Sequence, residues 1–344
     1  MATLTQTSIF SRKAINFLVT TLGVVVIIFV AIRFGKTIKN AIFPPPPPPS
    51  TVAFGKIPPL DLSEGVKPSS DLNFQLETIT GELPRLVERT KVFTIESEQA
   101  SFGALEQTKI KVANIGFSKE PIEISGNVAK FLDPQEPGRN LTINIITGNF
   151  TLDSNFRGDP KIAESRPISI EDTLEQASQF LNQMDIDSKE YPKEKAQTLK
   201  FRIEGGQLVE VPALSGTNIV QINFVMDDID NVGVFSPRYR QSRVKIFVSA
   251  NSVVAAEVDR VVLERYRFAT YPLKPLDRAF AQLKSGKGSL NREPSGVRVP
   301  IREVVLGYLD TGASGYLQPV YVFKSDNGLI AYVPAVDDSW LKLP

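Results

Sequence analysis

Ala14 to Ile32 is an uncharged run of nineteen residues, interrupted in its apolar character only by Asn16, Thr20, Thr21 and Gly23. As a helix it would span about 28 Å, close to the roughly 30 Å hydrocarbon core of a bilayer. The pattern therefore predicts one transmembrane helix. The run ends in Arg33, Lys36 and Lys39 rather than in a small-residue cleavage site, so it reads as an uncleaved anchor. Arg12 and Lys13 flank its other end, which leaves the basic count on the two sides nearly balanced. The ordinary signal-anchor arrangement, a short basic tail before the span, places residues 1–13 in the cytoplasm and the remainder outside. Pro44 to Pro49 follows as six consecutive prolines. They force a polyproline II rod of roughly 19 Å at about 3.1 Å per residue. Residues 33–85 are accordingly expected to be a proline-rich juxtamembrane linker.

Further along, the period of the apolar positions alternates between helix and strand. Ser169 and Asp172 form a capping pair ahead of Ile170, Leu174, Ala177, Phe180, Leu181 and Met184, which fall on one helical face. A second helix is signalled by Pro275, the stripe Leu276, Ala279, Phe280 and Leu283, and the stop Gly286. A weaker one runs from about Gly103 to Asn114. Strand-like runs follow each: Val128 to Leu132 and Leu141 to Ile146; Leu199 to Ile203, Ile219 to Val225, Val244 to Val248 and Val253 to Glu264; Ile301 to Leu309, Val320 to Phe323 and Leu329 to Val333. Glu204-Gly205-Gly206-Gln207 and Asp326-Asn327-Gly328 carry hairpin turn chemistry. The expected fold class is α+β: an N-terminal transmembrane helix, a proline stalk, then tandem helix-plus-antiparallel-sheet modules in two lobes, 86–165 and 166–344.

Composition narrows the chemistry. The 344 residues include no cysteine and no histidine, which removes thiolate nucleophiles, disulfides, imidazole bases and the common zinc ligand sets. Five of the basic residues and none of the acidic ones lie in residues 1–43, leaving thirty-four basic against thirty-eight acidic side chains in the rest. The folded part is thus slightly acidic, which argues against a nucleic-acid partner. Asp227, Asp228 and Asp230 lack the glycine and distal glutamate of an EF-hand loop and read as a solvated turn, so neither metal nor cofactor is expected. Asn140-Leu141-Thr142 and Asn149-Phe150-Thr151 are formal glycosylation sequons.

One motif carries catalytic chemistry. Asp310-Thr311-Gly312-Ala313-Ser314 matches the Asp-Thr-Gly-Ala signature of aspartic proteases, in which two aspartates share a proton to activate water. The chain has no second Asp-Thr-Gly, and 34 residues follow Asp310, too few for the remaining strands of a retroviral-type protomer. The same residues serve as a loop between strands. A protease using Asp310 in a dimer is the alternative to a non-catalytic binding or regulatory protein. Tyr308, Tyr316, Tyr321 and Tyr332 are candidates for a partner surface, since tyrosine is favoured at interfaces.

The final 75 residues resemble the C-terminal part of the YycH/YycI family, membrane-anchored extracytoplasmic regulators of a cell-wall-sensing histidine kinase. The resemblance is carried by Tyr271-Pro272-Leu273, the helix with Ala279 and Leu283, Gly286, Gly288, Val305-Leu306-Gly307-Tyr308, Leu317-Gln318-Pro319-Val320-Tyr321 and Ala331-Tyr332-Val333-Pro334-Ala335. The helix-then-sheet plan is also similar to PepSY domains. The resemblance implies an anchored extracytoplasmic regulator in the cell membrane, with a membrane or envelope protein such as a sensor kinase as partner. The proline stalk is a departure from that family's layout.

Overall fold

The computed structural model describes residues 18, 21–22, 49–95, 102–118, 120–136, 138–167, 169–250, 252–312 and 315–342. The chain divides into Met1–Pro49 and Ser50–Pro344. Within the expected transmembrane run only Leu18, Thr21 and Leu22 are described, helical and exposed; the rest of 14–32, and Pro44 to Pro48, lie outside the described residues. Among the described residues no helix is long and apolar enough to cross a membrane.

The second unit is a mixed α+β fold, dominated by sheet. In chain order it comprises β1 (Asn73–Leu76), β2 (Arg89–Ile95), α1 (Ala104–Asn114), β3 (Glu123–Ser125), β4 (Val128–Leu132), β5 (Asn140–Asn144) and β6 (Phe150–Asp153). Next come α2 (Pro160–Glu164), α3 (Ile170–Gln183), β7 (Gln197–Glu204), β8 (Gln207–Glu210), β9 (Ile219–Phe224), β10 (Gly233–Phe235), β11 (Val244–Ser249) and β12 (Ser252–Val258). The last part holds β13 (Leu263–Pro272), α4 (Leu276–Lys284), β14 (Ser289–Leu290), β15 (Arg298–Leu309), β16 (Tyr316–Ser325) and β17 (Ile330–Pro334).

The local signals explain the element ends. The Ser169 hydroxyl accepts from the Asp172 amide at 3.0 Å and so satisfies one of the orphan donors that open α3. Gly205 and Gly206 take φ of 57° and 78°, which lets Glu204 and Gln207 pair directly across the β7–β8 hairpin. Asn327 and Gly328, also at positive φ, turn the chain from β16 into β17.

Two sheets result. One has nine strands in the order β3-β4-β5-β6-β12-β11-β9-β7-β8, antiparallel throughout. The other has eight strands and runs β1-β15-β16-β17-β14, with β10 beside β15 and β2 joining β13 to β16. Here β1 and β10 lie parallel to β15, against the all-antiparallel expectation. Helix α3 packs across β9, β11 and β12, and α4 across β17 and β1.

Three expectations are corrected. Residues 50–85 are not linker: Ile57 bridges Leu341, Val66 bridges Leu290, and β1 adds a strand to β15, burying Ile57, Leu60 and Phe74. The proline-rich backbone hides this because its partners lie more than two hundred residues away. The boundary at 165/166 also fails, since β3 to β6 share a sheet with β7, β8, β9, β11 and β12, and β2 belongs to the other sheet. The modules are interleaved, and one hydrophobic core carries Val112, Phe131 and Leu181 together with Phe93, Tyr308 and Leu317. Third, Val253 to Glu264 is two strands, broken at 259–262, where Asp259 and Arg260 interrupt the apolar run.

Candidate functional site

The four tyrosines proposed as a partner surface are mostly interior. Tyr308, Tyr321 and Tyr332 are at most 2% exposed, and only Tyr316 is half-buried. Each buried hydroxyl donates to a main-chain carbonyl: Tyr308 to Lys91 at 3.0 Å, Tyr321 to Lys274 at 2.7 Å and Tyr332 to Ser236 at 2.8 Å. Burial pushes Tyr308 and Tyr321 up to about 12 and Tyr332 higher still, so all three remain neutral donors. Tyr308 thereby ties β15 to β2, while Tyr321 and Tyr332 tie β16 and β17 to the segments that follow β13 and β10.

The motif aspartate sits at an ionic knot between the sheets. Asp310 directly follows β15, held by its amide donating to the Phe235 carbonyl at 2.9 Å. Arg243 directly precedes β11 and ion-pairs with Asp310, with Asp259 at 2.6 Å and with Glu64, and it also donates to the Thr311 carbonyl. One Asp310 oxygen accepts from the Gly312 amide at 3.2 Å. Gly312 is fixed by sterics: its φ is +64°, and a Cβ there would stand 2.2 Å from the Arg243 guanidinium carbon. Burial raises the Asp310 carboxyl to about 6, against the opposing pull of Arg243 and the Gly312 amide; Asp259 and Glu64 add to the rise.

Beside the knot lies a small cavity of about 20 Å³ whose lining includes Tyr191, Ser242, Arg243 and Asp310. Tyr191 is buried, its hydroxyl has no hydrogen-bond partner, and burial holds its phenol well above the ordinary range. That volume is the size of one water, which would take a hydrogen bond from Tyr191 and face the Asp310 carboxylate.

In front of it opens a cleft of about 390 Å³, formed by α1, the turn before β6, the 259–262 break and Gly312. Cavities of this size suit a small ligand or a short peptide segment. Two orphaned polar atoms of opposite kind belong to residues that line it: the Asn149 Oδ1, an acceptor, and the Arg260 Nε, a donor. The rest of each side chain is engaged. Asn149 donates to Asp259 at 3.2 Å, and Arg260 faces Glu190 at 3.6 Å, whose carboxyl is raised by burial and drawn back down by Arg260. Lys111 on α1 completes the wall, paired with Asp185 at 3.0 Å.

The acidic turn is otherwise committed. Asp227 and Asp228 both hold Lys195, at 2.7 and 2.9 Å, and Asp230 holds Lys91 at 2.7 Å. Among the described residues no group of three histidine, cysteine, aspartate or glutamate side chains could hold a metal ion.

Of the sequence candidates, only Asp310 and the sequon residue Asn149 fall at this place. Arg243, Asp259, Arg260 and Tyr191 carried no motif. The usable signal was Asp259-Arg260, two adjacent charges inside the apolar run Val253 to Val262. Comparison with protein families, with characterised proteins and with solved structures finds no match for the chain.

Proposed function

We propose that the chain is a single-pass, membrane-anchored protein whose folded unit lies outside the cytoplasm and acts by binding, on a membrane or cell-envelope protein, without catalysis of its own. The carrying observation is the state of Asp310. Its carboxylate is 14% exposed, ion-pairs with Arg243 and accepts from Gly312, so it is engaged with a cation rather than sharing a proton with a second aspartate. Beside it lies a ligand-sized cleft whose walls include Asn149 and Arg260, which suits recognition of a small ligand or a short segment. The anchor rests on the uncharged run 14–32, and a regulatory role at a sensor kinase on the YycH/YycI-like motifs of the last 75 residues.

Cross-linking of the full-length chain in native membranes tests this reading. A discrete protein adduct that weakens in Arg260→Gln supports it. Hydrolysis of a peptide library that disappears in Asp310→Asn would replace it with the aspartic-protease alternative.

A further inference from the structure

Lys274 is the one charged residue among the described residues that is buried outright, at 3% exposed. Lysine is seldom placed so deep without a partner or a use for its nitrogen. It stands between β13 and α4, and its main chain is held on both sides. Its amide donates to the Ala335 carbonyl at 2.9 Å, its carbonyl accepts from Tyr321 at 2.7 Å, and Leu273 before it bridges Val336. The Nζ meets two side chains, donating to Gln282 Oε1 on α4 at 3.1 Å and to Asp338 Oδ1 at 2.7 Å.

The carboxylate closes a triangle. Its second oxygen, Asp338 Oδ2, accepts from Gln282 Nε2 at 3.4 Å and from Arg278 at 3.0 Å. These partners set the orientation of the glutamine amide, because an ammonium only donates and a carboxylate only accepts. An amine thus lies against the carbonyl of a primary amide, and one carboxylate touches both the attacking and the departing nitrogen. Amide exchange needs this layout: a nitrogen nucleophile held at a carbonyl, and a group that takes its proton and passes it to the leaving nitrogen. Asp337, the neighbouring acid, is occupied by the amide and hydroxyl of Ser339, at 3.0 and 2.6 Å. Arg278 stays on Asp338 when Lys274 loses its charge, so the carboxylate keeps a cation, and turning a buried ammonium into a neutral amide removes the cost of holding that charge inside.

We propose that Lys274 and Gln282 join in an intramolecular isopeptide bond, with Asp338 as the proton-shuttling carboxylate. Asp338 Oδ1 takes a proton from the Nζ ammonium, and the freed lone pair attacks Gln282 Cδ, placing the carbonyl electrons on Oε1. Collapse of this adduct breaks the Cδ–Nε2 bond. The leaving nitrogen receives the proton held by Asp338 and a second from Nζ, and departs as ammonium. Asp338 ends ionised, as it began, and nothing is oxidised or reduced. The bond closes α4 into a ring with the residue before it. It forms once per chain and turns over no substrate, so it is independent of the binding reading above.

Mass spectrometry of the full-length chain, purified in detergent, tests this. The expected intact mass is lower than that of the sequence by one ammonia. Trypsin cuts after Arg267, Arg278 and Lys284 and is blocked at Lys274-Pro275, so the bond is read as a branched species in which Phe268–Arg278 carries Ala279–Lys284. Asp338→Asn, at a partly exposed position, should slow its formation about a hundredfold or more, and Gln282→Met should abolish it. Two separate peptides from the wild-type chain overturn the proposal, and this readout needs no variant to fold. Loss of ammonia that maps to Asn327-Gly328, where succinimide closure gives the same mass change, overturns it as well. A branched peptide that forms equally fast in Asp338→Asn overturns the shuttle.

Discussion

Arg243 Nε stands 3.4 Å from Asp310 Oδ1, close enough for an ion pair but outside hydrogen-bond geometry, since that N–H has no partner. The two residues close the gap between the strands β11 and β15, one just before the first and one just after the second. Arg243 is shared among three carboxylates, so the knot carries more negative than positive charge, and protonation of Asp310 relieves it.

This sets a pH dependence. Burial raises Asp310 from the ordinary carboxylate value of 3.8 to about 6. The folded state thus binds this proton more tightly than the unfolded chain, and the stabilising contribution is present in acid and lost as pH rises through that window. Asp310→Asn carries no such titration. Its stability relative to wild type should climb by up to about 3 kcal/mol between pH 4 and pH 7. Urea denaturation of both proteins across this range measures it, and a constant difference would show that Asp310 is not perturbed.

The buried tyrosines give a sharper contrast between packing and recognition. Tyr321→Phe removes the donor to the Lys274 carbonyl and leaves that acceptor buried. A loss of about 1–3 kcal/mol in unfolding free energy is expected, with partner cross-linking unchanged. Lost cross-linking at unchanged stability would return Tyr321 to a partner surface.

Capping of α3 is separable from both. Ser169→Ala should cost about 1 kcal/mol, and Ser169→Asp should restore most of it, because either a hydroxyl or a carboxylate can accept from the Asp172 amide. Denaturant midpoints decide, and equal stability of all three proteins would contradict the cap.

The elements that were legible in the sequence are those whose cause is local. Ser169 with Asp172 and the Gly205-Gly206 turn fold as their spacing implies, because cap and turn geometry depend on neighbours a few residues away. Residues 50–85 give no such signal, for the opposite reason. Ile57, Leu60 and Phe74 stand singly among prolines and polar residues, with no period, and are buried largely by residues far along the chain, among them Val336, Leu309 and Val299. The site follows the same rule. Asp310 announced itself by motif, whereas Arg243, which decides what Asp310 can do, is a single arginine at a strand end that only tertiary contact brings to it.

The corrected start of the folded unit bears on the stalk. Val52 already donates to the Thr270 carbonyl at 3.0 Å and Thr51 to the Thr270 hydroxyl at 2.8 Å, so the folded unit begins within two residues of the last proline. Replacing Pro44 to Pro49 by a Gly/Ser segment of equal length should leave Tm unchanged and lower partner cross-linking, since a flexible chain has a shorter mean reach than a polyproline rod. A shifted Tm would place the prolines inside the folded unit, and unchanged cross-linking would show that reach is irrelevant.

The most direct test of a binding module without catalysis places a photoreactive amino acid at Gln107, on the wall of the cleft, in the full-length chain in native membranes. The account predicts a discrete protein adduct that is reduced in Arg260→Gln and retained in Asp310→Asn. An adduct indifferent to Arg260, accompanied by peptide hydrolysis that requires Asp310, would contradict it.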